Sequence, residues 1–233
     1  MKKRDIIFIL LVVLFFLPFF ISNTVYDFYT TYNHNHGMIM AFIKFAILAT
    51  LGEVIGLRIK TGQYYKDGFG IIPRAIYWGF FGLTIKMAFI IFATGVPNFL
   101  QYLGLNEATT IMKQPLSAQK VLVSFSISTL MNLIYAPVLM TAHKITDTHI
   151  VEHKGEVRAL FAPINVRKII TTMDWDVQWN FVFKKTIPLF WIPAHTITFL
   201  LPVDFQVLFA AMLGIILGVL LSIAAVMGKK KNN

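Results

Sequence analysis

Five polar residues lie inside otherwise apolar segments of the chain, where their side chains could contact a solute: Glu53, Lys86, Ser128, Asn132 and His195. Such side chains are costly within a lipid bilayer and usually face the interior of a helix bundle or a water-filled cavity. Lys86, Asn132 and His195 fall at similar depths, about 9 to 16 Å from the outer ends of their segments at helical rise. They predict a narrow polar passage with a weakly basic centre, which would favour small anions or neutral solutes.

Glu53 is too far along its segment to pair with Lys86. The two residues differ in depth by about 12 Å, which is beyond comfortable side-chain reach. We therefore expect Arg58 or Arg74 to be the partner of the Glu53 carboxylate.

A purely structural role is the alternative for the polar residues. Hydrogen bonds between membrane helices contribute only about 0.6 kcal/mol on average and serve to hold helices together. The chain would then be a structural or partner-binding membrane protein without transport activity. Lys44, near the outer end of its segment, is expected to reach the lipid headgroups instead of a passage.

Other chemistry finds little support in the sequence. The chain has no cysteine, which excludes disulfides and thiolate chemistry. The histidine groups, His34 with His36 and His143 with His149 and His153, lack the converging ligands of a metal site. There is no glycine-rich phosphate loop, nucleophile–base pair or carboxylate dyad in the apolar segments. We expect no enzymatic activity, no metal and no cofactor.

The composition indicates which elements position these side chains. Of the 233 residues 57% are hydrophobic and only 14% are charged, against about 25% charged residues in soluble domains. Mean hydropathy is +0.68. The chain is predicted to be an all-α integral membrane protein.

Six apolar segments predict a bundle of about six transmembrane helices. A bilayer core requires about 20 helical residues, so four segments span it comfortably, whereas the first and fifth are marginal. The first is interpreted as an uncleaved anchor helix, because no small-residue cleavage pattern follows it. The fifth contains Pro188 and Pro193 and is expected to tilt, kink or re-enter. The segments are 6–21, 38–59, 72–94, 121–142, 186–201 and 205–227.

The distribution of basic residues orients this bundle. With six spans and a cytoplasmic N-terminus, 17 of the 21 lysines and arginines fall on the cytoplasmic side and 2 in outer loops. Positive charge accumulates on the cytoplasmic side of membrane proteins. Both termini are therefore predicted to be cytoplasmic. The net charge of +10 is interpreted as facing anionic lipid headgroups, and nucleic acid is not expected as a partner.

The chain divides into three predicted regions: an anchor helix with an outer loop (1–37), a transmembrane core (38–228) and a basic tail (229–233). Between the fourth and fifth segments, residues 144–185 form either a surface-lying amphipathic segment or a plain solvated loop. Pro202, Asp204 and Gln206 predict an outer turn before the last span.

Small residues at helical spacing predict close packing between helices, because they let two backbones approach. They also allow the chain to form a homo-oligomer. These residues are Gly52 and Gly56, Gly79 and Gly82, and Gly214, Gly218 and Ser222.

Short motifs in a fixed order resemble those of the Mpv/PMP-type family, the small peroxisomal membrane proteins and their mitochondrial inner-membrane relatives. They are LGEVI (51–55), GFFG (79–82), MNLIYAP (131–137), Trp191 with Pro193, and the segment from Pro202 to Val207. The resemblance covers residues 41–224 and identifies the chain as a distant member. It implies a small multi-span, pore-like or channel-like protein without catalytic residues. The basic start of the chain favours a bacterial plasma membrane.

Overall fold

The computed structural model describes the backbone of residues 3–231 and the side chains of residues 3–223. Helices account for 84% of the chain, and no strand occurs among the described residues. The all-α prediction is therefore confirmed. The predicted basic tail, 229–233, lies outside the residues whose side chains are described, as do Met1 and Lys2 of the basic start.

The first compact unit, Met1–Met40, is more helical than the sequence predicted. It contains α1 (Lys3–Phe16), α2 (Pro18–Ile21) and α3 (Asn23–Asn35). The segment expected to be an outer loop is thus largely helix α3. Ser22 begins this helix as an N-cap, its hydroxyl accepting the backbone N–H of Val25 at 3.4 Å. No glycine or proline follows until residue 37, so nothing stops the helix earlier.

The second compact unit, Ala41–Asn233, contains the remaining helices. α4 begins just before this unit and continues into it. The elements are α4 (Gly37–Thr61), α5 (Ile71–Tyr102), α6 (Ala108–Ile111), α7 (Ala118–Glu152), a 3₁₀ turn (Val157–Leu160), α8 (Val166–Thr172), a π-helix (Val177–Trp191), α9 (Ile192–Leu200) and α10 (Val203–Lys231).

Four helices in the described part of the chain are long and apolar enough to cross a membrane: Gly37–Thr61, Ile71–Tyr102, Ala118–Glu152 and Val203–Ile223. They correspond to the four segments that the sequence predicted as comfortable spans. The protein is therefore a helical membrane protein with at least these four candidate spans.

α7 is longer than the predicted segment 121–142 by ten residues at its C-terminal end. After Pro137, the next glycine or proline is Gly155, so the sequence offers no helix terminator before that point. Gly155 adopts a φ of +70°, a conformation that suits glycine and turns the chain away from the helix.

The region predicted as the loop 144–185 is mostly helical. Besides the end of α7 it contains α8, in which Ile169 is buried while Arg167 and Lys168 are exposed. α8 is therefore amphipathic, as one of the two sequence interpretations expected. The π-helix then extends the fifth segment back to Val177 and contains Pro188. At 15 residues it is much longer than the single-turn π-bulges usually found in proteins.

α7 lies at the centre of the second unit and packs against α5, the π-helix and α9, while α9 also packs against α10. α4 packs against α5 and α10 at positions occupied by glycine. A Cβ on Gly82 would lie 2.5 Å from the carbonyl oxygen of Ala41, and a Cβ on Gly52 would lie 2.9 Å from Cα of Ile215. Only glycine permits these backbones to approach so closely.

Three further predicted packing residues lie at these helix contacts. A Cβ on Gly79 would meet the Phe42 ring at 2.5 Å, and a Cβ on Gly56 would lie 2.9 Å from Oγ of Ser222. The hydroxyl of Ser222 donates to the carbonyl of Gly218 at 2.7 Å. α4 thus packs on α5 through one pair of glycines and on α10 through another.

Candidate functional site: a cavity within the helix bundle

A cavity of about 250 Å³ lies between α4, α5, α7, α10 and the junction of the π-helix with α9. Its walls are mainly apolar and aromatic, including Phe45, Ile85, Phe89, Met131 and Leu217. These side chains come from four helices, and Trp191 and His195 add the π-helix and α9, so the cavity exists only in the folded bundle. Three of the five predicted passage residues line it: Glu53, Asn132 and His195.

Asn132 and His195 form a buried pair that links α7 to α9. The Asn132 side chain is 1% exposed, and its Nδ2 lies 3.1 Å from Nδ1 of His195. The same amide donates to the backbone carbonyl of Ser128 at 2.8 Å. Ser128 in turn donates its hydroxyl to the carbonyl of Ile192 at 2.7 Å. The expected polar face of the fourth segment is therefore present, with Ser128 behind Asn132 and away from the cavity wall.

Aromatic rings enclose His195. The Trp191 ring stacks on it with centroids 5.1 Å apart, and the Phe89 ring meets it edge-on at 5.7 Å. Trp191 is the last residue of the π-helix and directly precedes α9. The aromatic contacts fix the plane of the imidazole beside the cavity.

Glu53 occupies the other polar region of the cavity wall, where all its carboxylate oxygens are engaged. Its Oε2 lies 2.5 Å from Nη1 of Arg74. Its Oε1 accepts from the indole N–H of Trp78 at 2.7 Å and lies 3.1 Å from Nε2 of His143. The predicted partnership with Arg74 is confirmed, and Glu53 does not pair with Lys86.

Arg74 connects the charged groups of this polar region. Its Nη2 forms an ion pair with Asp147, and its Nε donates to the carbonyl of Phe69 at 2.6 Å. The guanidinium also lies over the Phe69 ring, 4.6 Å from its centroid. One cation thus bridges two carboxylates on different helices, α4 and α7.

Lys86 does not belong to the cavity. Ile85 and Phe89 of the same helix line the cavity, but Lys86 is not among the lining residues. Its charge interacts instead with that of Lys44, which also interacts with Asp204. The polar layer expected from depth alone is therefore incomplete, because Lys86 lies on a neighbouring face of α5.

Gly214 lies on the cavity wall, in contrast to the packing role that its spacing predicted. A Cβ at this position would meet no atom within 4 Å, and both Gly214 and Gly218 line the cavity. The glycine at 214 therefore leaves open space beside α10, whereas Gly52 and Gly56 serve close approach.

The sequence interpretation missed three members of the Glu53 cluster: Trp78, His143 and Asp147. The predicted fourth segment ends at Ala142, so the sequence predicts a loop at His143 and Asp147. Their spacing of four residues puts them on one face once α7 is extended. The absence of any helix terminator before Gly155 was the signal that could have found them.

Two further histidines, His149 and His153, make hydrogen bonds to backbone carbonyls. His149 Nε2 lies 2.9 Å from the carbonyl of Ala159, and His153 Nδ1 lies 2.9 Å from the carbonyl of His149. Within the described part of the chain, no group of three or more His, Cys, Asp or Glu side chains could hold a metal ion.

This arrangement can surround a small neutral molecule. Glu53 is the only carboxylate among the described residues of the cavity wall, and both of its oxygens are engaged by Arg74, Trp78 and His143. The amide of Asn132 and the imidazole of His195 are further polar groups of the wall. No protein-family model, curated protein or solved structure matches the chain. The site must therefore be understood from its own geometry.

Proposed function

We propose that this protein is a multi-pass membrane protein that lets small neutral solutes pass through its helix bundle. The observation that supports this proposal is the cavity of about 250 Å³ between helices of transmembrane length. A bundle built only for packing gains nothing from a void of this size, because empty space forfeits dispersion contacts.

The solute in this proposal is neutral, because both oxygens of the Glu53 carboxylate are already engaged by Arg74, Trp78 and His143. Glu53 is paired with Arg74, and Lys86 lies elsewhere. An ion moved into such a site would lose its hydration without gaining a partner. The sequence predicted a weakly basic passage for small anions or neutral solutes, and this proposal keeps the neutral solutes.

The membrane arrangement in this proposal has six spans, with both termini cytoplasmic. Its supports are the basic residues on one side of the bundle and their attraction to anionic headgroups. The ordered motifs add a distant relationship to the Mpv/PMP-type family, whose members are pore-like or channel-like. A bacterial plasma membrane is the proposed location and a homo-oligomer the proposed assembly, although the small-residue faces already contact helices of the same chain.

The rival function is a structural or partner-binding membrane protein. It is favoured by the polar contacts themselves, since Arg74, Glu53 and Asp147 bind one another across helices. Both functions predict a stable bundle, and only the first predicts passage of a solute.

Reconstitution separates the two functions. Purified protein in liposomes is mixed rapidly with glycerol, and the rate of swelling is followed by light scattering, with protein-free liposomes as the reference. Planar bilayers under a salt gradient report ionic conductance in parallel. We expect several-fold faster glycerol influx without conductance. Glycerol influx at the protein-free rate, with folded and correctly oriented protein, would favour the structural function.

A further inference from the structure

We propose that the cavity binds a small neutral aromatic molecule that donates a hydrogen bond to Nε2 of His195. The inference rests on the proposed function and deepens it, because it names the class of solute. Size, wall chemistry, hydrogen bonding and charge each support one part of this description.

The size of the cavity suits a molecule of one or two fused rings. An engineered protein cavity of about 150 Å³ stays dry and binds benzene. The cavity here has about 250 Å³, which leaves room for a second ring or for substituents on the first.

The walls favour an aromatic solute. Phe45, Trp78, Phe89, Tyr135 and Trp191 all line the cavity. Aromatic rings attract one another in offset-stacked and edge-to-face arrangements beyond what their buried area contributes. A planar solute can make both kinds of contact with walls of this composition.

We assign the proton of His195 to one ring nitrogen from the hydrogen bonds around Asn132. Asn132 Nδ2 lies 2.8 Å from the carbonyl of Ser128 and 3.3 Å from its hydroxyl, so each amide hydrogen has an acceptor there. His195 Nδ1 lies 3.1 Å from Asn132 Nδ2 and 3.2 Å from Asn132 Oδ1. With both amide hydrogens directed to Ser128, we assign the proton to Nδ1, which then donates to Oδ1. This assignment makes Nδ1 the donor and Nε2 an acceptor.

Nε2 of His195 is left for a ligand. The side chain is only 9% exposed and lines the cavity. Within the described part of the chain, its hydrogen bonds all involve Nδ1. A buried acceptor without a donor is costly. A solute carrying a hydroxyl or a ring N–H supplies that donor.

The charges of the cavity wall argue against carboxylic acids and amines as ligands. The Glu53 oxygens are occupied by Arg74, Trp78 and His143. An aromatic cation or anion would therefore find no free counter-charge on the wall, and its desolvation would be uncompensated.

Indole and benzofuran provide a matched pair of probes, because they differ by the exchange of a ring N–H for an oxygen. Each is titrated against the full-length protein in lipid nanodiscs, with binding followed by equilibrium dialysis. Empty nanodiscs report partitioning into lipid. We expect indole to bind on the order of tenfold more tightly than benzofuran, as a buried hydrogen bond implies. Equal affinities would overturn the proposal.

Two variants locate the binding. Gly214→Leu places a side chain in the open space of the cavity and is expected to abolish binding of both probes, whereas Gly95→Leu, at an exposed position on α5 with similar open space, leaves it unchanged. His195→Phe keeps a ring but removes the acceptor, so the preference for indole should disappear. Undiminished indole binding to Gly214→Leu would place the ligand elsewhere and overturn the proposal.

The outcome is independent of the permeation test. Indole selectivity without glycerol influx would support the binding site and contradict the proposed passage. Glycerol influx without indole selectivity would support the passage and overturn the inference about its solute. If His195→Phe does not fold, the comparison of indole with benzofuran on the unchanged protein decides.

Discussion

The guanidinium of Arg74 joins the carboxylates of Glu53 and Asp147, tying the C-terminal halves of α4 and α7 to the start of α5. The Arg74 side chain is 9% exposed. A single cation therefore bridges two partly buried carboxylates beside the cavity, and Trp78 and His143 also contact Glu53. This cluster fixes the relative positions of three helices.

Replacing Arg74 with methionine is expected to destabilise the bundle strongly. Removing one partner of a buried ion pair leaves an uncompensated charge and typically costs about 3–5 kcal/mol. Arg158→Met is the matched control, because Arg158 pairs with Glu156 at the surface, with 63% of its side chain exposed, and such pairs contribute about 0–1 kcal/mol. Thermal unfolding in detergent measures both. Equal midpoints for the two variants would show that the Arg74 cluster is not structural.

Ser128→Ala is expected to cost about 1 kcal/mol of unfolding free energy, because the change removes the hydrogen bond from α7 to the carbonyl of Ile192. Ser126→Ala is the control from the same helix. The Ser126 hydroxyl donates only to the carbonyl of Leu122 one turn earlier, so its removal should change stability by less than about 0.5 kcal/mol. A reversed order would contradict the described contact between α7 and α9.

Gly52→Ala and Gly214→Ala are expected to have opposite effects. The new Cβ at position 52 would press on the backbone of Ile215 at 2.9 Å, and such overpacking costs about 1–3 kcal/mol. At position 214 the Cβ would meet nothing within 4 Å, so the higher helix propensity of alanine should stabilise by up to about 1 kcal/mol. Denaturant titration of the two variants compares them directly. Equal changes in unfolding free energy for the two variants would mean that α4 and α10 do not approach each other as closely as described.

Lys86→Gln should leave solute passage unchanged, although the sequence placed Lys86 at the centre of a basic passage. The side chain does not line the cavity, so removing its charge leaves the walls as they are. Glycerol influx into liposomes is expected to stay within about twofold of the unchanged protein, as for surface substitutions away from a site. A large loss of influx in correctly folded protein would show that Lys86 contributes to the passage.

The helical fold and the four clear spans could be predicted because they depend on composition and segment length. Asn132 and His195 were also predictable, since two polar side chains at similar depths in a low-dielectric bundle tend to pair. The spans can be predicted from the residues of each segment alone, and the Asn132–His195 pair requires only the rise of a helix in addition.

The other features of the site depend on where each helix ends and on which helix faces contact each other. The Glu53 cluster was only half predicted, because α7 continues through His143 and Asp147 to Glu152. Lys86 was misplaced because depth gives height along a helix but not rotation about its axis. Similarly, spacing alone cannot distinguish a glycine that admits a neighbouring backbone, such as Gly52, from one that opens a cavity, such as Gly214.

The central claim is that solutes cross through the cavity, and one comparison tests it most directly. Glycerol influx is measured by stopped-flow light scattering for liposomes containing the unchanged protein, Gly214→Leu or Gly95→Leu at equal protein density. Both substitutions add the same side chain to open space on a helix, but only the first fills the cavity. We predict influx at the protein-free rate for Gly214→Leu and unchanged influx for Gly95→Leu. Equal influx through both variants would contradict the account.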